Sequence, residues 1–292
     1  MQLLTRRSFM ELTAATSASV LAAPAFAAGH SSAEVFTADP QGGLVDSTVI
    51  MGENSAVLID AQFTAPNASA LADVIAATGK QLETVFITHM HPDHHLGLGV
   101  IMDRFPDARV VAHAAVQPGI AAAAQAMLDG VSADAPEGAF ASRVIIPDAL
   151  NADHIMLEGE RLDVLDPMHG DTDLISAVHI PALDTLVAAD FVYADTFAWT
   201  AENTTPERAD QWLASLDVLE GIGAATVIPG HRVETSANDV TGIQQTRAYV
   251  TKWRDALGKA SSAEELTAMM KEGNEALQFE FALNNAVAAV YP

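Results

Sequence analysis

Four histidines and one aspartate lie within a stretch of seven residues in the first third of the chain. The five side chains are His89, His91, Asp93, His94 and His95. Neutral imidazole and carboxylate are ligand types that suit zinc. If no metal were bound, packing these polar groups together would cost desolvation free energy with little return. The cluster therefore predicts a metal site rather than a polar loop.

The residues on either side of this cluster indicate how it is positioned. The hydrophobic run 84–87 predicts a buried strand that leads straight into the histidines. Pro92 and Gly97 predict that a loop or the start of a helix follows this strand. Because a buried strand is a rigid support, we expect the cluster at the edge of a sheet.

Three further candidate ligands each follow a predicted apolar strand. They are His169, Asp190 and His231, which come after the runs 162–165, 185–189 and 226–228. Taken alone, each histidine could be a surface loop residue. Asp190 could be a helix cap or an ion-pair partner, and Asp195 lies near enough to compete for its role. As a set, they are the residue types that would complete a metal site built at strand ends.

These motifs, in this order, resemble the metallo-β-lactamase superfamily of hydrolases. The matching motifs are His89-x-His91-x-Asp93-His94, His169-Gly170-Asp171-Thr172, Ala189-Asp190 and Pro229-Gly230-His231, together with the early strand that ends at Asp60. The resemblance covers nearly the whole chain after its N-terminal segment. It implies an α/β fold, the αββα sandwich, in which two mixed β-sheets pack face to face with helices outside. The metals would then lie at one edge, where the sheets meet.

The resemblance also implies a binuclear zinc site with about two Zn²⁺ ions per chain. The implied ligands are His89, His91 and His169 for one ion, Asp93, His94 and His231 for the other, and Asp190 as a bridge between them. A hydroxide between the metals would be the nucleophile. Asp93 would also be catalytic, because it could orient the hydroxide and deliver a proton to the leaving group.

Several residues depart from the pattern of this family. The sequence His95-Leu96-Gly97 stands where many relatives have a glycine pair, and His95 receives no role. The segment after His169 reads Gly170-Asp171-Thr172 where relatives often have Thr-x-Gly, which leaves the shape of that loop open. Asp190 stands where the zinc β-lactamases with a His-Cys-His ligand set place a cysteine, which argues against that subclass. His91, where diiron flavoproteins place a glutamate, favours zinc over iron.

The resemblance implies an exported zinc-dependent hydrolase that cleaves an ester, lactone, thioester or amide bond of a small-molecule substrate. A weak β-lactamase activity is one alternative. A second is an oxidoreductase resembling persulfide dioxygenases, with a single iron at the positions of His89, His91 and His169. A third is a metal-binding protein without catalysis, against which the complete ligand set argues.

The first 27 residues resemble a twin-arginine signal peptide. Arg6 and Arg7 precede a mildly apolar stretch, 12–23, and an Ala-x-Ala site that ends at Ala27. An amphipathic N-terminal helix is the alternative. Cleavage after Ala27 would give a periplasmic protein. The chain has no cysteine, so a metal site must use His, Asp and Glu.

Composition sets the remaining expectations. With 292 residues, half of them hydrophobic, the chain can bury the core of one large domain or of two small ones. The resemblance implies one hydrolase domain over 28–292. We expect a helical or loop insertion at 114–151 and C-terminal helices in 238–292, namely 238–257 and 262–277. A net charge of −24 argues against nucleic acid or an anionic membrane as partner. The oligomeric state is open.

Four residues outside the ligand set have two interpretations each. Asp60 is either a group that fixes a ligand histidine or the loop backbone, or an aspartate in a turn that ends a strand. Tyr193, Phe197 and Trp199 follow Asp190 closely. They either wall the substrate pocket or belong to the core beneath a long loop.

Overall fold

The computed structural model describes residues 31–292, so the predicted signal peptide lies outside the described residues. Two mixed β-sheets pack face to face between two layers of helices. This arrangement is the αββα sandwich that the sequence predicts.

The first sheet contains six strands that follow one another in space as they do in the chain. They are β1 (Ser32–Thr37), β2 (Asp46–Met51), β3 (Ser55–Ile59), β4 (Gln81–Ile87), β5 (Arg109–His113) and β6 (Asp148–Leu150). Strands β1 to β3 pair antiparallel, whereas β3 to β6 run parallel. Parallel strands place their carboxyl ends at one edge of a sheet, which is where ligands commonly bind.

The second sheet contains five strands in the order β11-β10-β9-β8-β7. Their bounds are β7 (His154–Leu157), β8 (Glu160–Val164), β9 (Val178–Ile180), β10 (Thr185–Ala194) and β11 (Thr226–Arg232). Strands β10 and β11 are parallel, and the other pairs are antiparallel.

Helices cover the outer face of each sheet. They are α1 (Ala65–Ala77), α2 (Pro92–His95), α3 (Leu98–Arg104), α4 (Gln117–Ser132), α5 (Pro206–Ile222), α6 (Thr241–Leu257), α7 (Ala263–Lys271) and α8 (Glu280–Val290). Helices α1, α3 and α4 pack on the first sheet, and α5 to α8 pack on the second. Within residues 31–292, no helix is both long and apolar enough to cross a membrane.

Alternating side chains explain how the strands hold the layers together. On β3, Val57 and Ile59 face the second sheet, whereas Ala56 and Leu58 face the helices. Because successive strand residues point to opposite faces, a run of apolar residues fits a strand that is buried on both sides. In the strand that leads into the histidine cluster, β4, the last four residues (84–87) are buried in the same way, so this end of the strand is rigidly held.

Two helix starts are explained by the local sequence. The hydroxyl of Thr64 accepts the backbone N–H of Asn67, and that of Thr205 accepts the N–H of Arg208. A proline follows each of these threonines in the first turn, where its missing N–H costs nothing. The N-termini of α1 and α5 are thereby fixed.

Two segments differ from the expected organisation. The segment 114–151 contains α4 and also β6, which pairs with β5 and so extends the first sheet. The C-terminal segment holds three helices rather than two, because α8 follows α7. The residue before α8 is Phe279, whose side chain makes no capping hydrogen bond, so this helix start carries no sequence signal of the usual kind.

Candidate metal centre

The histidine cluster lies directly beyond the carboxyl end of β4. His89 lies two residues beyond the end of this strand, and His91 is the residue immediately before α2. Asp93 and His94 lie in the single turn of α2. A strand and a short helix, both fixed by their neighbours, therefore set the directions of these four side chains.

Asp190 and His231 come from neighbouring strands, β10 and β11, whose pairing is irregular at this point. Register shifts lie on both sides of Ala189, which has a φ of +49°. A left-handed conformation costs about 1 kcal/mol or more for a residue with a Cβ, and such a bulge re-aims the next side chain. A Cβ on Gly230 would overlap Asp190 Oδ1. The glycine before His231 thus allows the close approach of the two strands.

The structure brings six of the seven predicted ligands together in two adjoining groups. One group contains His89, His91, Asp171 and Asp190, and the other contains Asp93, His94 and His231. Within each group, the potential ligand atoms lie within 4.8 Å of one another. This spacing is that of side chains converging on a single ion.

Asp190 lies between the two groups. Its Oδ2 is 3.4 Å from His89 Nε2 and 3.2 Å from His231 Nε2, and its Oδ1 is 3.1 Å from His94 Nε2. In the second group, Asp93 Oδ2 is 3.4 Å from His231 Nε2. The Asp190 carboxylate therefore touches members of both groups, as a bridging ligand would.

His169 does not join either group, although the sequence predicts it as a ligand. Its Nε2 lies 2.8 Å from Asn203 Oδ1, and its Nδ1 lies 3.4 Å from Asp173 Oδ1. Asp171 instead faces the cluster, with its Oδ2 3.2 Å from His91 Nδ1. The structure thus puts a carboxylate where the resemblance implies an imidazole.

A tight turn explains why Asp171 rather than His169 points inward. The N–H of Gly170 donates to the carbonyl of Thr172 at 2.9 Å. A Cβ on Gly170 would lie 2.7 Å from Ile175 Cδ1 and 2.9 Å from Phe191 Cδ1, so the turn packs closely on the core. The sequence signal was the His-Gly-Asp-Thr departure from the family pattern, which indicates an altered loop but not its direction.

Unpaired buried atoms in both groups provide a test of whether these residues fit a metal. Among the described residues, His89 Nε2, His94 Nε2, Asp171 Oδ1 and Asp190 Oδ1 make no hydrogen bond, although His94 Nε2 and Asp190 Oδ1 lie only 3.1 Å apart. A buried polar atom left unpaired costs about 1–3 kcal/mol. Because these atoms belong to imidazoles and carboxylates that face one another, they fit a centre for divalent cations.

The electrostatics of the centre also favour bound positive charge. Burial opposes the protonated form of His91, but the carboxylate of Asp171 outweighs it and raises the pKa of His91 well above 6.5. Burial alone would raise the pKa of Asp190, yet His94 and His231 hold it well below its usual range. The buried carboxylates therefore draw cations, whether protons or metals, to this point.

Asp60 orients two of the histidines, His94 directly and His89 through Thr88. Its Oδ2 lies 2.8 Å from His94 Nδ1 and accepts the hydroxyl of Thr88 at 2.8 Å. Its Oδ1 accepts the backbone N–H of Thr88 at 2.9 Å. Thr88 Oγ1 in turn lies 2.9 Å from His89 Nδ1. Of the two interpretations of Asp60, the structure supports the one in which it holds ligand histidines and the loop backbone.

The other two histidines also have partners that orient them. Glu202 Oε1 lies 2.8 Å from His91 Nε2, and Glu202 Oε2 accepts the hydroxyl of Thr172 at 2.6 Å. His231 Nδ1 lies 2.7 Å from the carbonyl of Gly43. Such partners fix the tautomer and direction of a ligand imidazole. Glu202 carries no sequence signal, because the run 191–205 has no clear period.

Tyr193 is part of the centre as well as of the core. Its hydroxyl lies within hydrogen-bond distance of two carboxylate oxygens, 2.8 Å from Asp171 Oδ2 and 3.0 Å from Asp190 Oδ2. Its ring stacks on His231 with centroids 4.9 Å apart. Trp199 lines the adjacent cavity, whereas Phe197 is buried in the core. The three aromatic residues therefore divide between the two expected roles.

A cavity of about 550 Å³ opens onto both groups. Its walls include ligand candidates together with apolar and amide side chains from distant parts of the chain. They are Pro40, Gln41, Leu44, Phe63, His91, Pro92, Asp93, Val131, Asp171, Asp190, Tyr193, Trp199, His231, Gln278, Phe279 and Phe281. The volume lies in the range of small-molecule sites.

Comparison with known protein families finds a match that spans both groups. A sequence model of the metallo-beta-lactamase superfamily matches residues 40–231, a stretch that includes every residue of both groups. None of the curated proteins compared with the chain matches it.

Several solved structures share the fold. A metallo-beta-lactamase family protein from Thermus thermophilus is 22% identical with a TM-score of 0.61, over 88% of this chain and 92% of that one. A metallo-beta-lactamase from Pontibacter korlensis is 19% identical with a TM-score of 0.54, over 76% and 94%. The stereoselective inverting sec-alkylsulfatase Pisa1 from Pseudomonas sp. is 17% identical with a TM-score of 0.58, over 88% and 48%.

Proposed function

This chain belongs to the metallo-β-lactamase superfamily, which includes metal-dependent hydrolases, and we propose that it is a binuclear zinc hydrolase. Its reaction would be cleavage of an ester, lactone, thioester or amide bond in a small molecule. The observation that carries the proposal is the contact of the Asp190 carboxylate with histidines of both groups.

The donor set assigns a role to each side chain around the proposed ions. The first ion would be held by His89, His91 and Asp171, the second by Asp93, His94 and His231, and Asp190 would bind both. When bound, such a pair of zinc ions supplies a water whose pKa is lowered to about 7, and it polarises the bond to be broken. Imidazole and carboxylate donors without thiolates suit zinc at each position.

Asp93 is the proposed proton carrier of the reaction. Its side chain is one-fifth exposed and lines the cavity, so it can reach a substrate. Burial would raise the pKa of Asp93, but His94 and His231 outweigh burial and lower it. The ionised carboxylate can therefore accept a proton from the attacking water and pass one to the leaving group.

The remaining groups act by holding others in position. Asp60, Thr88 and Glu202 fix the imidazoles through the hydrogen bonds described above, and the Tyr193 hydroxyl fixes Asp171 and Asp190. Preorganised partners of this kind save reorganisation during the reaction.

The mononuclear-iron alternative fits the site less well. It relies on an imidazole at position 169, and the Nε2 of His169 lies 2.8 Å from Asn203 Oδ1 instead. Metal analysis separates the two proposals. Two zinc ions per chain support hydrolysis, whereas one iron per chain with oxygen consumption on persulfides would overturn it.

A substrate screen tests the proposed reaction directly. Zinc-loaded protein is assayed against aryl esters, lactones, thioesters, amides, β-lactams and phosphodiesters, with the H91A variant as the control. We expect zinc-dependent turnover of a carboxylic acid derivative that H91A abolishes. Turnover that persists in H91A would mean that the site lies elsewhere.

We also propose that the enzyme acts in the periplasm after twin-arginine export. The support is the order of Arg6 and Arg7, the apolar stretch and the site at Ala27. A reporter fused after Ala27 should reach the periplasm only while the arginine pair is intact. Export at full rate after Arg6→Lys combined with Arg7→Lys would contradict this proposal.

A further inference from the structure

The cavity beside the ligand groups has strongly apolar walls. Phe63, Trp199, Phe279 and Phe281 supply aromatic rings, and Leu44 supplies aliphatic surface. Burial of apolar surface contributes about 25 cal/mol per Å², so walls of this kind favour a substrate that carries its own apolar group.

Two of these rings come from the C-terminal part of the chain, beyond the residues that match the family. Phe279 stacks on His231 with ring centroids 5.3 Å apart, and Phe281 stacks on Trp199 at 6.1 Å. The segment is tied down by backbone hydrogen bonds, from the N–H of Phe197 to the carbonyl of Gln278 and from the N–H of Gln278 to that of Asp195. This wall is therefore a fixed part of the site.

Both phenylalanines are held at a cost in free energy. Phe279 has a φ of +63°, a left-handed conformation that is unusual for a bulky residue. Phe281 is 61% exposed, so its ring stays largely in water until something covers it. Strain and exposure at the same wall are expected where a ligand completes the packing.

Among the described residues, no lysine or arginine lines the cavity. Asp93, Asp171 and Asp190 contribute three carboxylates to its lining, and Glu202 beside it has Arg208 as a neighbour of opposite charge. Two divalent ions with one hydroxide would only balance the three lining carboxylates, so the site would offer no excess positive charge to a substrate anion. The chain as a whole adds repulsion through its net charge of −24.

We propose that this site takes an uncharged substrate with an apolar acyl chain or ring, which packs on Phe281 and Trp199, and that it discriminates against substrates with a free carboxylate or sulfate. This inference rests on the proposed hydrolase function and narrows its substrate class. A β-lactam with a carboxylate and an alkyl sulfate both fall in the disfavoured class.

Matched esters test the inference with zinc-loaded protein lacking only residues 1–27. The substrates are the 4-nitrophenyl esters of acetate, butyrate and hexanoate, and the mono-4-nitrophenyl ester of adipate, which equals hexanoate in length but ends in a carboxylate. One buried methylene contributes about 0.8 kcal/mol, or about fourfold in rate. We expect kcat/KM to rise at least tenfold from acetate to hexanoate, and to fall at least tenfold from hexanoate to the adipate ester.

Two variants connect this preference to the aromatic wall. Phe281→Ala should reduce kcat/KM for hexanoate about tenfold while changing that for acetate less than twofold. Val218→Ala removes another exposed apolar side chain, 52% exposed on α5 and outside the cavity, and should leave both values unchanged. Because Phe281 is largely exposed, its replacement is expected to leave the fold intact.

Binding of hexanamide and of adipamic acid, followed by tryptophan fluorescence, gives a readout that needs no turnover. Hexanamide should bind at least tenfold more tightly than adipamic acid, and Phe281→Ala should weaken the binding of hexanamide about tenfold while the preference over adipamic acid persists. Equal binding of the two amides, or equal rates on hexanoate and adipate esters, would overturn the inference about substrate class. Failure to hydrolyse any substrate while hexanamide is still preferred would instead overturn the proposed reaction.

Discussion

Asp171 and His169 lie two positions apart in the sequence, and only Asp171 faces the other candidate ligands. The turn at Gly170 decides between them, because it packs against Ile175 and Phe191 and directs the next side chain inward. His169 is left to pair with Asn203. At the scale of single residues, the chemistry of the centre is therefore richer in carboxylate than the family pattern implies.

Replacing each of these two side chains in a separate variant tests which of them binds metal. Asp171→Asn should lower the zinc content from about two ions to about one, because the amide brings no charge to the first group. His169→Gln, the matched control, keeps a donor near Asn203 and should retain both ions. Equilibrium dialysis followed by elemental analysis gives the counts. Loss of zinc in His169→Gln with retention in Asp171→Asn would reverse the assignment.

His95, the cluster histidine without a predicted role, has a structural one. Its Nε2 lies 3.2 Å from the carbonyl of Met90, and burial lowers its pKa from 6.5 to about 4. The unfolded chain takes up a proton as the pH falls through 6.5, whereas the folded chain stays neutral at this position until about pH 4. Stability is therefore present above pH 6.5 and is lost as the pH falls towards 4.

Urea unfolding of metal-free protein measures this loss. Between about pH 7 and pH 5, the free energy of unfolding should fall by about 2 kcal/mol, because His95 stays neutral in the folded chain and becomes protonated in the unfolded one. His95→Gln, which can still donate to Met90, should lose less stability than the wild type over the same interval, by about that amount. An identical loss in both proteins would show that His95 titrates normally in the folded chain.

At the scale of secondary structure, the site is made by irregular endings of regular elements. Strand β3 ends just before Asp60, which has a φ of +60°. Its carboxylate forms hydrogen bonds with both Thr88 and His94. Strand β10 is interrupted at Ala189, which turns Asp190 towards β11. These two departures from regular strand geometry place the carboxylates on which the ligand histidines depend.

Gly230 is the position where this arrangement tolerates least change. In Gly230→Ala the new Cβ would overlap Asp190 Oδ1, so the carboxylate must move and zinc binding should weaken at both groups by at least tenfold. Gly221→Ala on α5 is the matched control, since nothing lies within 4 Å of its Cβ. It should bind zinc normally and gain about 0.5–1 kcal/mol of stability. Competition with a chelating dye gives the zinc affinities. Normal affinity in Gly230→Ala would contradict the role assigned to the close approach of the two strands at Gly230.

At the scale of the whole molecule, residues far apart in the chain build one cavity. The family match covers residues 40–231, yet Phe279 and Phe281 complete the cavity from beyond it. The N-terminal layer supplies Leu44 and Phe63, and the second sheet supplies Tyr193. The proposed chemistry therefore comes from the shared sandwich, and the proposed specificity comes from the C-terminal segment.

Six of the candidate ligands could be predicted because their signals are local, and the layered fold followed from the family resemblance that these motifs carry. Apolar runs are followed by histidine or aspartate, as at His89 and His231, and such patterns can be recognised without knowledge of the tertiary structure. Asp171, Glu202 and Phe281 could not be found in this way. Their positions depend on a tight turn, on a segment without periodicity and on the packing of α8, none of which has a local pattern.

Zinc content of an Asp190 variant tests the central claim most directly, because this carboxylate is proposed to bind both ions. Asp195, five residues further along the chain, provides the control, since its carboxylate accepts the hydroxyl of Ser236 at 2.6 Å instead. After equilibrium dialysis against the same zinc buffer, wild type and Asp195→Ala should each hold about two ions per chain, and Asp190→Ala should lose zinc from both positions. If Asp190→Ala retains two ions per chain, the bridged binuclear centre is contradicted.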